Sequence, residues 1–283
     1  MLQFKTSGTS CHVDANNFAS IIPLIQSTPG AIIPLHYKRA EDTSDKLPAL
    51  GGLTLVEWET HSDLICEKSK ENLWFGLNAC SQGKGKTAHK LRYQLRTLPQ
   101  IKHLNAVCID LDVGRPDGPP EAQMSQQEAL QAVCDAVIDG IVPTPTFYVY
   151  SGRGLYIVWM LHDENDPSKK PKATDETRTS YGKVSEKLTA MFGHLAADKA
   201  NNNATRLLRV PGSINTKNDQ RVMWHIWPNE AGQLASYSLE ELAEGLGIRA
   251  QPAAPAEPKR IYPETPKGQR RYYGKPIINR GSA

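Results

Sequence analysis

The chain has 283 residues, of which 39% are hydrophobic and 22% are charged. These fractions are typical of globular proteins and exclude wholesale disorder, and the length is sufficient for one large domain or two small ones. The net charge of +3 is compatible with nucleic-acid binding but does not by itself indicate it.

The five cysteines form no CxxC pair. An odd number without paired spacing favours a reducing compartment over a disulfide framework, and the spacings of a zinc site are missing. The sequence has no apolar run of about 18 residues and no signal-type N-terminus, so we expect neither membrane insertion nor secretion. We therefore expect a cytoplasmic protein.

The first hundred residues alternate apolar runs with turn residues. We interpret residues 17 to 60 as a helix or loop followed by strand-like pieces, the last of them LTLVEW at 53 to 58. Residues 72 to 80, NLWFGLNAC, predict a strand rich in aromatic and aliphatic side chains. The segment SQGKGK that follows predicts a flexible basic loop.

Residues 103 to 114, HLNAVCIDLDVG, predict a buried strand that presents two carboxylates at its end. Asp110 and Asp112 are two residues apart, so on a strand both side chains project from the same face. Adjacent carboxylates repel each other unless a divalent cation lies between them, and such oxygen ligands suit Mg²⁺ or Mn²⁺. Capping or turn formation explains many such pairs when each is considered alone.

A capping-box pattern at Ser125 and Glu128 predicts an amphipathic helix that ends near Gly140. The segment TFYVYSGRGLYIVWML, residues 146 to 161, then predicts two strands joined by a turn at 151 to 154. Its glycines would allow the backbone to approach an anion such as a triphosphate. An ordinary hairpin turn is the alternative, and it is favoured when the turn is considered alone.

The second half predicts a helix from about 174 to 194, a strand at 221 to 228 and a helix at 238 to 248. Between them, Asp198 precedes the segment ATRLLRVPGSINTK, residues 204 to 217. Its two arginines and its lysine are cations suited to phosphate oxygens. Surface salt bridges are the alternative explanation for either arginine.

In this order, the aromatic strand, the DLD pair, the SGRGLY hairpin and the ATRLLRVPGSINTK segment resemble the archaeo-eukaryotic primase superfamily. The similarity is to the primase-polymerases of plasmids, phages and other mobile elements. It covers roughly residues 70 to 230, and the R-x-P-G-S/T-x-N-x-K segment is its most distinctive part. The resemblance implies an α+β fold whose mostly antiparallel sheet is related to RNA-recognition modules and flanked by helices.

The resemblance also implies a domain organisation. We expect a catalytic domain over residues 1 to 249, with an N-terminal subdomain of about 1 to 100 and a catalytic core of about 101 to 249. Residues 250 to 283, rich in Pro, Ala and basic side chains, are expected to be a linker or tail.

Members of the superfamily pair a DxD/E motif with a later Asp, so the resemblance implies that Asp110, Asp112 and Asp198 are catalytic metal ligands. Two cations, Mg²⁺ or Mn²⁺, would orient the 3′-hydroxyl and the triphosphate for in-line attack. Four other aspartates are alternatives to Asp198: Asp135, Asp139, Asp163 and Asp175.

The nucleotide is expected to contact the hairpin and residues 204 to 217, here called the arginine segment. The expected nucleotide-binding residues are Ser151, Gly152, Arg153, Tyr156, Arg206, Arg209, Asn215 and Lys217. Tyr156 occupies the register position of a His that the superfamily usually has in its S-x-H motif. Because Tyr has no positive charge at neutral pH, phosphate binding would shift to the arginines or to Lys217.

The strand residues Gly76-Leu77-Asn78 resemble the superfamily's G-x-N-P-R piece without its Pro and Arg. Lys84, Lys86 and Lys90 are expected to compensate by contacting the phosphates of nucleic acid.

The expected function is that of a DNA-dependent primase-polymerase, which makes and extends primers from NTPs or dNTPs on single-stranded DNA. A helicase or helix-bundle domain beyond the linker is an expected partner. One alternative is a non-catalytic nucleic-acid-binding module for replication or defence. Another is a phosphohydrolase of the haloacid-dehalogenase type with Asp110 as nucleophile. The missing βαβ pattern disfavours the phosphohydrolase.

Overall fold

The computed structural model of the protein describes residues 18–44, 46–81, 83, 85, 87, 91, 96–199, 203–227 and 234–248. The predicted linker or tail at 250 to 283 lies outside these residues, as do Lys84, Lys86 and Lys90. In the part of the chain described, no helix is long and apolar enough to cross a membrane.

The described helices and strands alternate irregularly along the chain. In order they are α1 Phe18–Ile25, β1 Ile33–Lys38, β2 Ala49–Leu53, α2 Leu55–Thr60, α3 Ser62–Ser69, β3 Asn72–Gly76, β4 Ala79–Cys80, β5 Ile101–His103, β6 Ala106–Leu111, α4 Pro120–Gln123, α5 Gln126–Ile138, β7 Phe147–Tyr150, β8 Leu155–Leu161, α6 Asp175–Met191, β9 Leu207–Arg209, β10 Ile214–Asn215, β11 Gln220–Arg221, β12 Met223–Ile226, β13 Ser236–Tyr237 and α7 Leu239–Gly245.

The predicted strand with its two carboxylates is β6, and the predicted hairpin is β7 and β8. The capping boxes of α5 and α7 are formed by Ser125 with Glu128 and by Ser238 with Glu241. Reciprocal hydrogen bonds of this kind satisfy backbone donors that the first turn of a helix leaves without partners. The predictions for these elements are therefore confirmed.

Two predicted strands are corrected by the structure. Residues 53 to 58 do not form a strand, because Thr54 caps a helix that begins at Leu55 and exchanges hydrogen bonds with Glu57. The strand predicted at 72 to 80 is broken into β3 and β4. The Leu77 amide donates to the Arg206 carbonyl at 3.0 Å, one position beyond the last β3–β9 pair, Gly76 with Leu207, and β4 begins only at Ala79.

The larger sheet contains five strands. Its path runs β12-β7-β8-β13, and β6 pairs with β8 antiparallel, with Asp110 opposite Tyr156. Only the short pairing of β13 with β8 is parallel among the described strands of this sheet. All seven residues of β8 are buried, which is expected of a strand covered on both faces.

A second sheet has the order β2-β1-β3-β9, all antiparallel. Its last strand comes from the arginine segment, so residues far apart in the chain complete it. Two further pairs, β4 with β5 and β10 with β11, are two-stranded. The α+β class with a mostly antiparallel sheet flanked by helices is confirmed, while the division into subdomains near residue 100 stays a prediction.

The two faces of the larger sheet belong to different cores. On one face, Val107, Ile109 and Leu111 join the side chains of α5 and α6. On the other, Ala106 and Cys108 join the apolar side chains of the second sheet. Because side chains alternate between the two faces of a strand, Asp110 lies on the same face as Ala106 and Cys108, toward the second sheet.

Asn78 joins the two halves of the fold through its buried carboxamide, which is 1% exposed. Its Oδ1 accepts hydrogen bonds from the amides of Asn105 at 2.7 Å and Ala106 at 3.4 Å, and its Nδ2 donates to the Ala204 carbonyl at 2.9 Å. Asn78 thus links the residues at the start of β6 to the start of the arginine segment.

Replacing Asn78 with Leu is expected to lower the free energy of unfolding by about 2 to 4 kcal/mol, because buried backbone groups lose their partners. Urea unfolding followed by circular dichroism measures the change. Asn165→Ala is the matched control, since Asn165 is exposed, and its effect should stay within about 0.5 kcal/mol. An equally small effect of Asn78→Leu would contradict this role.

Lys170 is buried, and its Nζ donates to the Leu161 carbonyl at 2.8 Å. Burial lowers its pKa from 10.5 to about 8. Between pH 8 and 10.5 the Lys170 amine is protonated in the unfolded chain and neutral in the folded chain. The free energy of unfolding therefore rises with pH over this interval, and the contribution of Lys170 is lost below about pH 8. Relative to Lys170→Met, the wild type is expected to gain up to about 3 kcal/mol from pH 8 to 10.5 in denaturant unfolding. A difference that does not change with pH would contradict this expectation.

Candidate active site

Three aspartates are brought to one end of β6 by backbone pairing. The amide of Asp112 donates to the Ala196 carbonyl at 3.0 Å, and the amide of Asp198 donates to the Asp110 carbonyl at 2.8 Å. Leu111 forms a bridge with Ala197 between these two bonds. The short segment before the arginine motif therefore runs antiparallel to the DLD motif.

Arg206 neutralises Asp110. Its Nη2 lies 2.7 Å from Asp110 Oδ2, and the guanidinium group is only 3% exposed. Asp112 forms a more exposed ion pair with Arg115, three residues further on. Each carboxylate of the DLD motif thus has an arginine partner, and Arg206 is the buried one.

The electrostatics of Asp110 show how closely the acidic groups are gathered. Burial raises the pKa of Asp110 to about 6, Arg206 opposes this, and the charges of Asp112 and Asp198 raise it further. Asp112 and Asp198 therefore both lie within electrostatic range of Asp110.

No group of three or more His, Cys, Asp or Glu side chains is arranged for metal binding in the part of the chain described. The donor chemistry nevertheless fits a hard divalent cation, because three carboxylates supply oxygen ligands and more negative charge than Arg206 balances. The assignment of Asp110, Asp112 and Asp198 as metal ligands remains a prediction.

The hairpin turn packs tightly against the β10 segment. Gly152 has φ of +99°, and a Cβ there would lie 2.6 Å from Asn215 Nδ2. That nitrogen donates to the Ser151 carbonyl at 2.9 Å, while Asn215 Oδ1 accepts from the Lys217 amide at 3.2 Å. The carboxamide of Asn215 thus joins the turn to the loop that carries Lys217.

Arg209 differs from Arg206 in its partners. It is buried on β9 opposite Trp74, with the guanidinium 4.6 Å from the centre of the indole ring. Its Nη1 donates to Asn72 Oδ1 at 2.6 Å. Among the described residues, no carboxylate lies within ion-pair distance of it. Arg209 is therefore a buried cation held by neutral groups.

The remaining predicted nucleotide-binding residues differ in exposure. Tyr156 is buried, and burial raises the pKa of its hydroxyl, so the group is neutral at all physiological pH values. The Arg206 guanidinium carbon lies 5.9 Å from the centre of its ring. Arg153 is partly buried in the turn and Lys217 is exposed. Contact of these residues with a nucleotide stays a prediction.

Asn72 and Trp74 were not among the predicted site residues. Their connection with Arg209 arises from the pairing of β3 with β9, which are separated by more than a hundred residues. Local patterns in the sequence contain no signal for that pairing.

Comparison with solved structures shows that the fold is similar to that of a phage primase-polymerase domain, so the fold implied by the motif resemblance is confirmed. The AEP domain of the cyanophage S-2L primase-polymerase has a TM-score of 0.51 and 15% identity. The match covers 82% of this chain and 98% of that domain. The catalytic domain of the primase RepB′, solved in complex with initiator DNA, has a TM-score of 0.46, 13% identity, and coverage of 82% and 91%.

A replication protein of Clostridium perfringens is 30% identical to this chain over 151 residues, which is 53% of this chain. The match spans 31% of that protein, about a third of its length. No protein-family model matches the chain.

Replacing Gly152 with Ala is expected to lower the free energy of unfolding by about 1 to 3 kcal/mol, because the positive φ is strained and the Cβ collides with Asn215. Thermal or urea unfolding measures it. Gly182 in α6 is the matched control, because a Cβ there has no atom within 4 Å, so Gly182→Ala should stabilise by about 0.5 to 1 kcal/mol. Stabilisation by both changes would contradict the tight packing of the turn.

Proposed function

We propose that the protein is a primase-polymerase that synthesises and extends primers on single-stranded DNA by nucleotidyl transfer from NTPs or dNTPs. The observation that carries this proposal is the pairing of residues 110–112 with 196–198, which gathers three carboxylates beside the buried Arg206. The primase-polymerase fold and the similarity to a replication protein support it.

In this proposal the triphosphate lies between the DLD end of β6 and the cations of the arginine segment. Arg209 forms no ion pair with a described carboxylate, whereas Arg206 is paired with Asp110, so Arg209 is the better placed of the two arginines for a phosphate oxygen. Arg153 and Lys217 would extend this positive surface from the turn and from the loop. The Asn215 carboxamide keeps that turn and loop together.

Asp110, Asp112 and Asp198 would hold Mg²⁺ or Mn²⁺, which when bound would neutralise charge on the attacking and leaving oxygens. Arg206 has a supporting role, since its charge favours the ionised carboxylate of Asp110 and its hydrogen bond orients that group. Tyr156 would line the site next to Asp110 as a neutral side chain, so it would not attract the phosphates by charge.

The template and any helicase or helix-bundle partner are also part of this proposal. We assign the template phosphates to Lys84, Lys86 and Lys90, in the basic stretch before β5.

A non-catalytic nucleic-acid-binding module is the second candidate. The observation in its favour is that both carboxylates of the DLD motif already pair with arginines, so the protein balances part of their charge without a cation. The described pairing of β6 with β8 is antiparallel, which disfavours the phosphohydrolase hypothesis because that fold requires a parallel sheet around the nucleophile.

The double variant Asp110→Asn, Asp112→Asn is expected to reduce dNTP incorporation on a primed single-stranded template by at least about a hundredfold, because the metal ligands lose their charge. Primer extension with Mg²⁺ or Mn²⁺, resolved on a denaturing gel, measures the rate. Asp139→Asn is the matched control, since Asp139 is exposed at the end of α5.

Equal incorporation by the double variant and the wild type would reject the site. A wild type that binds single-stranded DNA but incorporates no nucleotide with either cation would favour the non-catalytic module.

A further inference from the structure

We propose that Asn72 is a positioning residue for the triphosphate, because its carboxamide aims the Arg209 guanidinium and fixes the loop that carries Lys217. This inference rests on the proposed nucleotide site.

The contacts of Asn72 extend in two directions from one buried side chain. Its Oδ1 accepts hydrogen bonds from Arg209 Nη1 at 2.6 Å and from the Thr216 amide at 3.3 Å. Its Nδ2 donates to Thr216 Oγ1. The oxygen thus accepts one hydrogen bond from the arginine and one from the loop, which uses both of its lone pairs. Asn72 therefore fixes the position of the Arg209 guanidinium relative to the loop.

The Asn72 carboxamide is an uncharged partner for Arg209. An amide oxygen orients a guanidinium without cancelling its charge, whereas a carboxylate would form an ion pair as Asp110 does with Arg206. The indole of Trp74 supports the same guanidinium, also without negative charge. Arg209 is therefore directed and still available to an anion.

Arg209 lies within electrostatic range of the DLD motif. Burial lowers the pKa of the guanidinium, and the nearby Tyr156 and Asp110 raise it, which shows that both lie within electrostatic range. Arg209 remains protonated in any case, because an arginine does not lose its proton in proteins. A phosphate near Asp110 would thus meet a cation whose direction Asn72 determines.

Asn72→Asp separates this role from a purely structural one. The carboxylate retains acceptors for Arg209 Nη1 and for the Thr216 amide, and the Thr216 hydroxyl can turn to donate, so the fold is expected to persist. The added charge lies against Arg209 and cancels its attraction for phosphate. Asn165→Asp is the control with the same charge change at an exposed position.

We expect Asn72→Asp to raise the KM for dATP in primer extension by about tenfold or more, with kcat changed by less than about threefold. The Kd for Mg²⁺-dATP from isothermal titration should rise with it, while the thermal midpoint stays near that of the wild type. In an Arg209→Gln background the same change should alter the Kd by less than about twofold, because the buried carboxyl at position 72 would lose its cationic partner and take up a proton. Asn165→Asp should leave all of these values unchanged.

An unchanged Kd for dATP in Asn72→Asp, or a full additional loss in the Arg209→Gln background, would overturn the inference. If Asn72→Asp unfolds, Asn72→Ser replaces it, and that variant should raise the Kd by about threefold because Arg209 loses its direction but keeps its charge. No increase in Kd for that variant would also overturn the inference.

Equilibrium binding distinguishes this inference from the proposed reaction. Wild-type protein that binds dATP in an Asn72-dependent manner but incorporates none would contradict the proposed function and support the positioning role. Incorporation that is lost in the Asp110→Asn, Asp112→Asn variant but insensitive to Asn72→Asp would support the function and overturn the role.

Discussion

The buried ion pair of Asp110 with Arg206 is the interaction on which the candidate site depends. Asp110 ends the central strand β6, and Arg206 precedes β9 of the second sheet. The carbonyl of Arg206 also accepts a hydrogen bond from the Leu77 amide, next to the last β3–β9 pair, Gly76 with Leu207. The Arg206 side chain is 3% exposed and that of Asp110 is 22% exposed, so loss of Asp110 would take the carboxylate partner from a buried charge. The pair therefore fixes the acidic end of one sheet against the basic end of the other.

Two arginines three residues apart in the same motif have different environments. Arg206 is neutralised by a carboxylate, and Arg209 is held by an amide oxygen and an indole ring. The difference follows from the alternation of side chains along an extended chain, which places residues three positions apart on opposite faces. One arginine thus pairs with the acidic cluster, and in the proposed site the other is available to a phosphate. Charge counting along the sequence would treat them as equivalent.

Elements with strong local signals could be predicted from the sequence. The apolar run before the DLD pair, the capping box of Ser125 and Glu128, and the glycine turn at 151 to 154 each describe interactions among near neighbours in the chain. The capping of α2 by Thr54 was missed because an apolar run of that length is compatible with a strand or a helix. The pairing of β3 with β9, and with it the roles of Asn72 and Asn78, depends on contacts between distant segments. No local pattern specifies those contacts, so the acidic and basic motifs were recognised while their supporting carboxamides were not.

The central claim is that Asp110, Asp112 and Asp198 together bind divalent cations beside a triphosphate. A crystal structure of the protein with Mn²⁺ and a non-hydrolysable dNTP analogue, recorded with anomalous diffraction at the manganese edge, tests it most directly. Anomalous peaks within about 2 to 2.5 Å of oxygens from these three carboxylates, with the phosphates near Arg209, are the predicted result. A nucleotide bound elsewhere, or an acidic cluster that retains its arginine partners and binds no manganese, would contradict the account.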